Sequence, residues 1–154
     1  MKIFLAADHN GFELKEKIKD WLTEWGYTYE DKGNTQFDET DDFPDFASPA
    51  AQAVARSPKQ DKAILICGSG AGVDIVANKY KNVWSSVLFS REQARAATRD
   101  DGLNSIALSS WFVGEETNRE IIKIWLETDF EETVERRDRR MSKVHKIEEK
   151  NFKN

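Results

Sequence analysis

Cys67, the chain's only cysteine, leaves the apolar run Ala63 to Ile66 and enters the turn Gly68-Ser69-Gly70-Ala71-Gly72. A thiol at the carboxyl end of a buried strand, just ahead of a helix N-terminus, sits where open α/β sheets bind their ligands. Partial positive charge at such a place favours the thiolate, while glycines at 68, 70 and 72 let backbone N–H groups turn toward an anion. A thiolate base beside an oxyanion cradle suits enolisation of a small phosphorylated or oxygenated substrate. A lone cysteine in an apolar strand is otherwise a small buried hydrophobe without reactivity. Three glycines in five residues set this one apart, because they mark backbone that takes unusual φ/ψ or approaches a ligand closely.

Other chemistry-bearing residues are few. Asp8-His9-Asn10-Gly11 ends the first apolar run, Lys2 to Ala7. Arg136, Arg137, Arg139 and Arg140 form a compact basic cluster, which could meet a small anion or form a solvated helix face. One cysteine and two histidines, His9 and His145, offer no close spacing for zinc, so no metal is expected. A dinucleotide module would carry G-x-G-x-x-G after its first strand with an acid about 20 residues on; here the turn follows the third strand and reads G-x-G-x-G.

The net charge of -5 argues against nucleic acid as the main partner, since a phosphate backbone rewards broad positive surface. The longest apolar runs are strand-length, far short of the ~20 residues of a membrane span. The N-terminus enters a strand directly with no signal-like segment, and a single cysteine fits a reducing compartment, so a cytoplasmic location is expected.

The 154 residues read as one domain, 1–154, positioning these groups by an alternation of strands and helices. Strands are predicted at Lys2 to Ala7, Tyr27 to Glu30, Ala63 to Cys67, Val83 to Leu88 and Ser105 to Leu108. Between them, Phe12, Leu14, Ile18, Trp21, Leu22 and Trp25 recur at helical period up to a stop at Gly26. Further helices are predicted at Phe46 to Arg56, Gly72 to Tyr80, Ser90 to Arg99 (opened by a Ser90/Gln93 capping box) and Gly114 to Thr128. Five βα units imply a parallel sheet. The segment Val134 to Phe152 predicts a long charged helix whose narrow stripe, Met141, Val144 and Ile147, suits packing across a partner subunit.

Ala-Asp-His-Asn-Gly-Phe at 7–12, Asp-Phe-Pro-Asp-Phe-Ala at 42–47, and Ile-Cys-Gly-Ser-Gly-Ala-Gly-Val with Ala-Asn-Lys at 66–79 together resemble the type B ribose-5-phosphate isomerases, a family that includes the galactose-6-phosphate isomerase subunits. The motifs keep their order over nearly the full length. The resemblance implies a Rossmann-like three-layer α/β/α sandwich and a homodimer whose active sites draw on both subunits. It implies aldose–ketose isomerisation of a phosphorylated sugar through an enediolate, without metal or organic cofactor. Cys67 matches the family's base, Ser69 a residue that helps with hydroxyl protons, and the amides of Gly68, Gly70 and Gly72 an oxyanion hole for the enediolate. Asp8 and His9 match residues that bind sugar hydroxyls, ring oxygen or the phosphate end. Arg136 and Arg140, spaced i,i+4 on one helix side, match the phosphate-binding pair, for which arginine's planar fork is suited; residues 132–154 would then reach across the dimer. The resemblance leaves open whether dimers pair into tetramers.

Three departures qualify it. The family's ring-opening segment usually reads His-Asn-Asp-Ala-Asn-Val, and here the stretch is Asp100-Asp101-Gly102-Leu103-Asn104-Ser105. Asp100 thus replaces a histidine; it could act as a base, is a weaker acid unless burial or Asp101 raises its pKa, or could belong with Asp101 to a surface loop. Trp111 stands at a usual arginine, and Phe43 and Phe46 replace tyrosines, keeping bulk and losing hydroxyls. Three readings follow: a pentose-phosphate isomerase in which Asp100, His9 or water opens the ring; an isomerase of another aldose phosphate such as a hexose 6-phosphate; and a non-catalytic sugar-phosphate-binding protein.

Overall fold

The computed structural model describes residues 1–152. Five strands, β1 (Ile3–Ala7), β2 (Tyr29–Asp31), β3 (Lys62–Cys67), β4 (Ser85–Val87) and β5 (Ser105–Ser109), form a wholly parallel sheet of order β2-β1-β3-β5-β4. The helices are α1 (Phe12–Glu24), α2 (Phe43–Arg56), α3 (Ala71–Ala77), α4 (Arg91–Asp101), α5 (Glu115–Leu126) and α6 (Glu135–Asn151). The strands read as continuous apolar runs because both faces are covered. Alternate residues serve opposite cores. Ile64 and Ile66 join Ile3, Leu5, Ile106 and Leu108 under α1, α4 and α5, whereas Ala63, Leu65 and Cys67 join Phe4, Ala6 and Ala107 under α2 and α3. The result is the three-layer sandwich expected.

That arrangement sets the place of the site. β1 leads into α1 on one face and β3 into α3 on the other, so the connections part between these adjacent strands and open a crevice at their carboxyl ends. Ala7 pairs in register with Ile66. Asp8-His9 and Cys67 therefore leave the sheet side by side.

Element ends differ from the periodicity where caps act. The helix predicted from Phe46 opens at Phe43, with Asp42 at its N-cap and proline within its first two positions, a favoured start. α4 begins as expected, Ser90 Oγ accepting from Gln93 N at 3.1 Å and the Gln93 side-chain Oε1 accepting from Phe89 N at 2.9 Å. It continues past Arg99 to Asp101 and is closed by Gly102 at φ 68°, so Asp100 and Asp101 lie in its last turn, not in a loop. α6 stands outside the three layers against α4. Val144 and Ile147 of its stripe remain exposed. No described helix is long and apolar enough to cross a membrane.

Beneath the β1 end, the fully buried Lys15 pairs with Asp31, which also receives Lys19 and the Gly33 N–H at 2.9 Å. Burial works against the Asp31 charge, but the two lysines and this N–H overcome it and hold its carboxyl below the usual range. A depressed folded-state pKa contributes stability that is complete above the unfolded carboxylate value and lost as pH falls through the folded one. Asp31→Asn, which leaves Lys15 buried without its countercharge, is expected to cost about 3 kcal/mol at pH 7. Denaturant melts at pH 7 and pH 3 check this, with the gap between the two proteins narrowing at the lower pH.

Candidate active site

Cys67, 5% exposed, ends β3 with its Sγ accepting the Gly70 N–H at 3.1 Å. Gly70 adopts φ 81°, which a side chain would resist, and its N–H meets the sulfur where the chain enters α3. Ser69 Oγ accepts from Ala71 N at 3.2 Å, tying the serine to the first turn of α3. Two of the turn's amides are therefore engaged within it, Gly70's by the thiol and Ala71's by the serine.

Gly68 and Gly72 have another use. A methyl group on Gly68 would come within 2.4 Å of the Trp111 indole, and one on Gly72 within 2.9 Å of the Phe43 ring. The glycines admit two aromatic walls onto the turn. Trp111 is itself fastened there, its N–H donating to Gly68 O at 3.0 Å, while Ser109 Oγ donates to the same carbonyl at 2.7 Å and Ser110 N to Cys67 O at 3.1 Å.

On the neighbouring strand end Asp8 is buried, its Oδ1 accepting from Gly11 N at 3.1 Å. His9 is held by Asp41, whose Oδ1 accepts from the His9 backbone N–H at 2.9 Å and pairs with Nδ1 at 2.7 Å. That hydrogen bond raises the imidazole above its ordinary pKa; burial opposes the shift, and the charges of Asp8, Asp41 and Asp38 reinforce it. Asp41 is partly desolvated, yet the His9 backbone and ring and the Asn34 amide, donating to Oδ2 at 2.8 Å, bring its carboxyl below the usual range.

The remaining candidates gather elsewhere. Asp100 precedes β5, and Ser109, level with Cys67, ends it, so about 13 Å of strand separates the two ends. Asp100 Oδ1 accepts from Arg99 Nε at 2.8 Å and Arg137 Nε at 2.7 Å, and Oδ2 accepts from Arg99 Nη2 at 3.1 Å. These guanidiniums, Arg99 first and Arg137 next, push its carboxyl down to about 2 against some desolvation. Arg137 also pairs with Glu131 and Arg139 with Glu135 at 4.0 Å. Among the described residues no ion pair engages Arg136 or Arg140, and both are exposed, as is Asp101. One copy of the chain thus brings together Cys67, Ser69, the glycine turn, Asp8 and His9, and carries Asp100, Asp101, Arg136 and Arg140 at the far end of its sheet.

A family model described as Ribose/Galactose Isomerase matches residues 3–144. The chain belongs to the ribose/galactose isomerase family. A probable ribose-5-phosphate isomerase B of Mycoplasma genitalium is 38% identical over 146 residues, 95% of each chain. The crystal structure of ribose-5-phosphate isomerase B from that organism, with bound ribulose-5-phosphate, superposes with a TM-score of 0.93 at 37% identity over 97% of each chain. A 4-deoxy-4-sulfo-D-erythrose isomerase of Clostridium sp. is 33% identical over 135 residues, 88% of this chain and 84% of its own, so members differ in the sugar they take. The present chain is an aldose–ketose isomerase of the phosphorylated-sugar kind.

Two features of this isomerase escape sequence reasoning. Asp41 lies in an acidic, loop-like run, and its contact with His9 spans 32 residues. Arg137, one of four neighbouring arginines, is singled out only by Asp100 across 37 residues. Periodicity and turn chemistry report local structure and carry no signal for either pair.

Proposed function

We propose that the protein interconverts ribose 5-phosphate and ribulose 5-phosphate through an enediolate, Cys67 moving the proton between C1 and C2. The observation that carries this is the sulfur itself, seated at the switch point of the sheet under the Gly70 N–H beside Asp8 and His9. Ser69 would exchange protons with the sugar hydroxyls, amides of Gly68 and Gly72 would stabilise the enediolate oxygen, and Asp8 and His9 would bind hydroxyls. No metal or organic cofactor is needed, because the thiolate takes the proton and the amides carry the charge.

The phosphate would be gripped by Arg136 and Arg140 of a second copy, with Asp100 and Asp101 of that copy lining the sugar. A homodimer in which α6 crosses to the partner satisfies this, and it gives exposed Val144 and Ile147 a surface to cover. A reducing compartment, the cytoplasm, suits the unpaired thiol. As a second reading, the bulk of Trp111 against Gly68 would suit an aldose phosphate of fewer carbons. The purified protein is expected to convert ribose 5-phosphate to ribulose 5-phosphate without added metal; binding of the sugar phosphate with no conversion of it or of erythrose 4-phosphate would overturn the proposal.

A further inference from the structure

We propose that His9 is the acid that opens the sugar ring and that Asp41 is the positioning residue that fits it for the task. The inference rests on the isomerase reading above. A pentose 5-phosphate closes into a furanose, and C2 becomes acidic only once C1 is a free aldehyde, so a proton must first reach the ring oxygen. Cys67 is committed to carbon. Asp100 receives guanidinium donors on both oxygens and has no proton to give. His145 lies on α6 with its ring packed edge-on against Trp84 at 4.8 Å and 3.9 Å from Glu148, turned onto its own chain. His9 is the imidazole on the thiol's side.

Its support is built for an acid. Asp41, its side chain 6% exposed, grips both the backbone N–H and Nδ1 of His9. It is held in turn by Asn34, whose backbone N–H donates to Ala7 O at 2.9 Å. The ring is thereby fixed with Nε2 outward, 3.0 Å from the Asn10 amide. That amide donates to Nε2 of a neutral ring and, rotated, accepts from a protonated one. The charged groups facing His9 are Asp8, Asp38 and Asp41, all favouring the imidazolium.

In the step, Nε2–H gives its proton to the ring oxygen as the C1–O bond breaks and its electron pair stays on that oxygen. The anomeric O–H loses its proton to the Asp8 carboxylate or to water, and its pair closes the C=O bond. Solvent exchange returns both protons.

Erythrose 4-phosphate provides the contrast, because its C4 oxygen is esterified and it cannot close a five-membered ring. His9→Gln is expected to lower kcat/KM for ribose 5-phosphate by about 100-fold and to affect erythrose 4-phosphate at least about ten times less. With this variant at high concentration, the rate on ribose 5-phosphate should stop rising with enzyme, because spontaneous ring opening then limits it; the unaltered protein should stay proportional. In Asp41→Asn the loss of activity on ribose 5-phosphate at rising pH should begin at lower pH than in the unaltered protein, and Asp41→Glu should restore part of the difference. Equal losses on both substrates, or no plateau, would overturn the proposal while leaving the isomerase reading intact. Turnover of neither sugar by the unaltered protein would sink both.

Discussion

Cys67→Ala is expected to lower kcat for ribose 5-phosphate by about 10³-fold, with KM and thermal stability changed little. General-base transfer by a positioned side chain contributes about 10²–10⁴, which is the loss expected if Cys67 supplies it. On the proposed role the sulfur would act on a C–H bond and add nothing to ground-state recognition of hydroxyls or phosphate, which gives the split between kcat and KM. The stability expectation follows from size, since a sulfur atom is a small loss from a cluster made mostly of alanine and valine. Steady-state assays by ribulose formation, with a thermal melt alongside, check both. An unchanged rate would make the thiol a packing residue only.

Mixing two impaired variants is expected to restore activity. Arg136→Ala with Arg140→Ala removes the unpaired guanidiniums at one end of the chain, and Cys67→Ala removes the base at the other. If a site is assembled from two copies, a dimer of one chain of each kind holds one site with neither defect and one with both. Random pairing of equal amounts in a two-fold dimer then returns about a quarter of the unaltered activity. On the proposed assembly the two arginines would contribute charge-assisted bonds to the phosphate, so the double arginine variant alone should show a raised KM as well as a lowered kcat. The mixture is refolded or co-expressed so that subunits exchange, and its rate is compared with the two parents. No recovery in a mixture shown to contain heterodimers would place both sets of residues in the same chain's site or remove the arginines from it.

Much of the architecture is legible in the residues because its signals are short-range. Five apolar runs, the helical period from Phe12 to Trp25, the stop at Gly26 and the Ser90/Gln93 cap each act within one or two turns of chain. They yield the order of elements and hence the parallel sheet, with errors confined to ends such as Phe43, where Pro44 starts the helix early, and Asp100, which Gly102 caps within the helix. The thiol at Cys67 is likewise announced by its own neighbours.

What the sequence by itself determined is therefore the parallel α/β frame, the thiol at a strand's carboxyl end and the glycines of the turn behind it. Tertiary structure alone decided that Gly68 and Gly72 make room for Trp111 and Phe43, that Asp41 holds His9, and that Arg99 and Arg137 neutralise Asp100. It also separated Asp100 and the α6 arginines from Cys67, because every helix must run back along a parallel sheet before the next strand begins. Contacts across 32 and 37 residues depend on which elements the cores bring side by side, and that choice is made by burial of the whole sheet, not by any local run of residues.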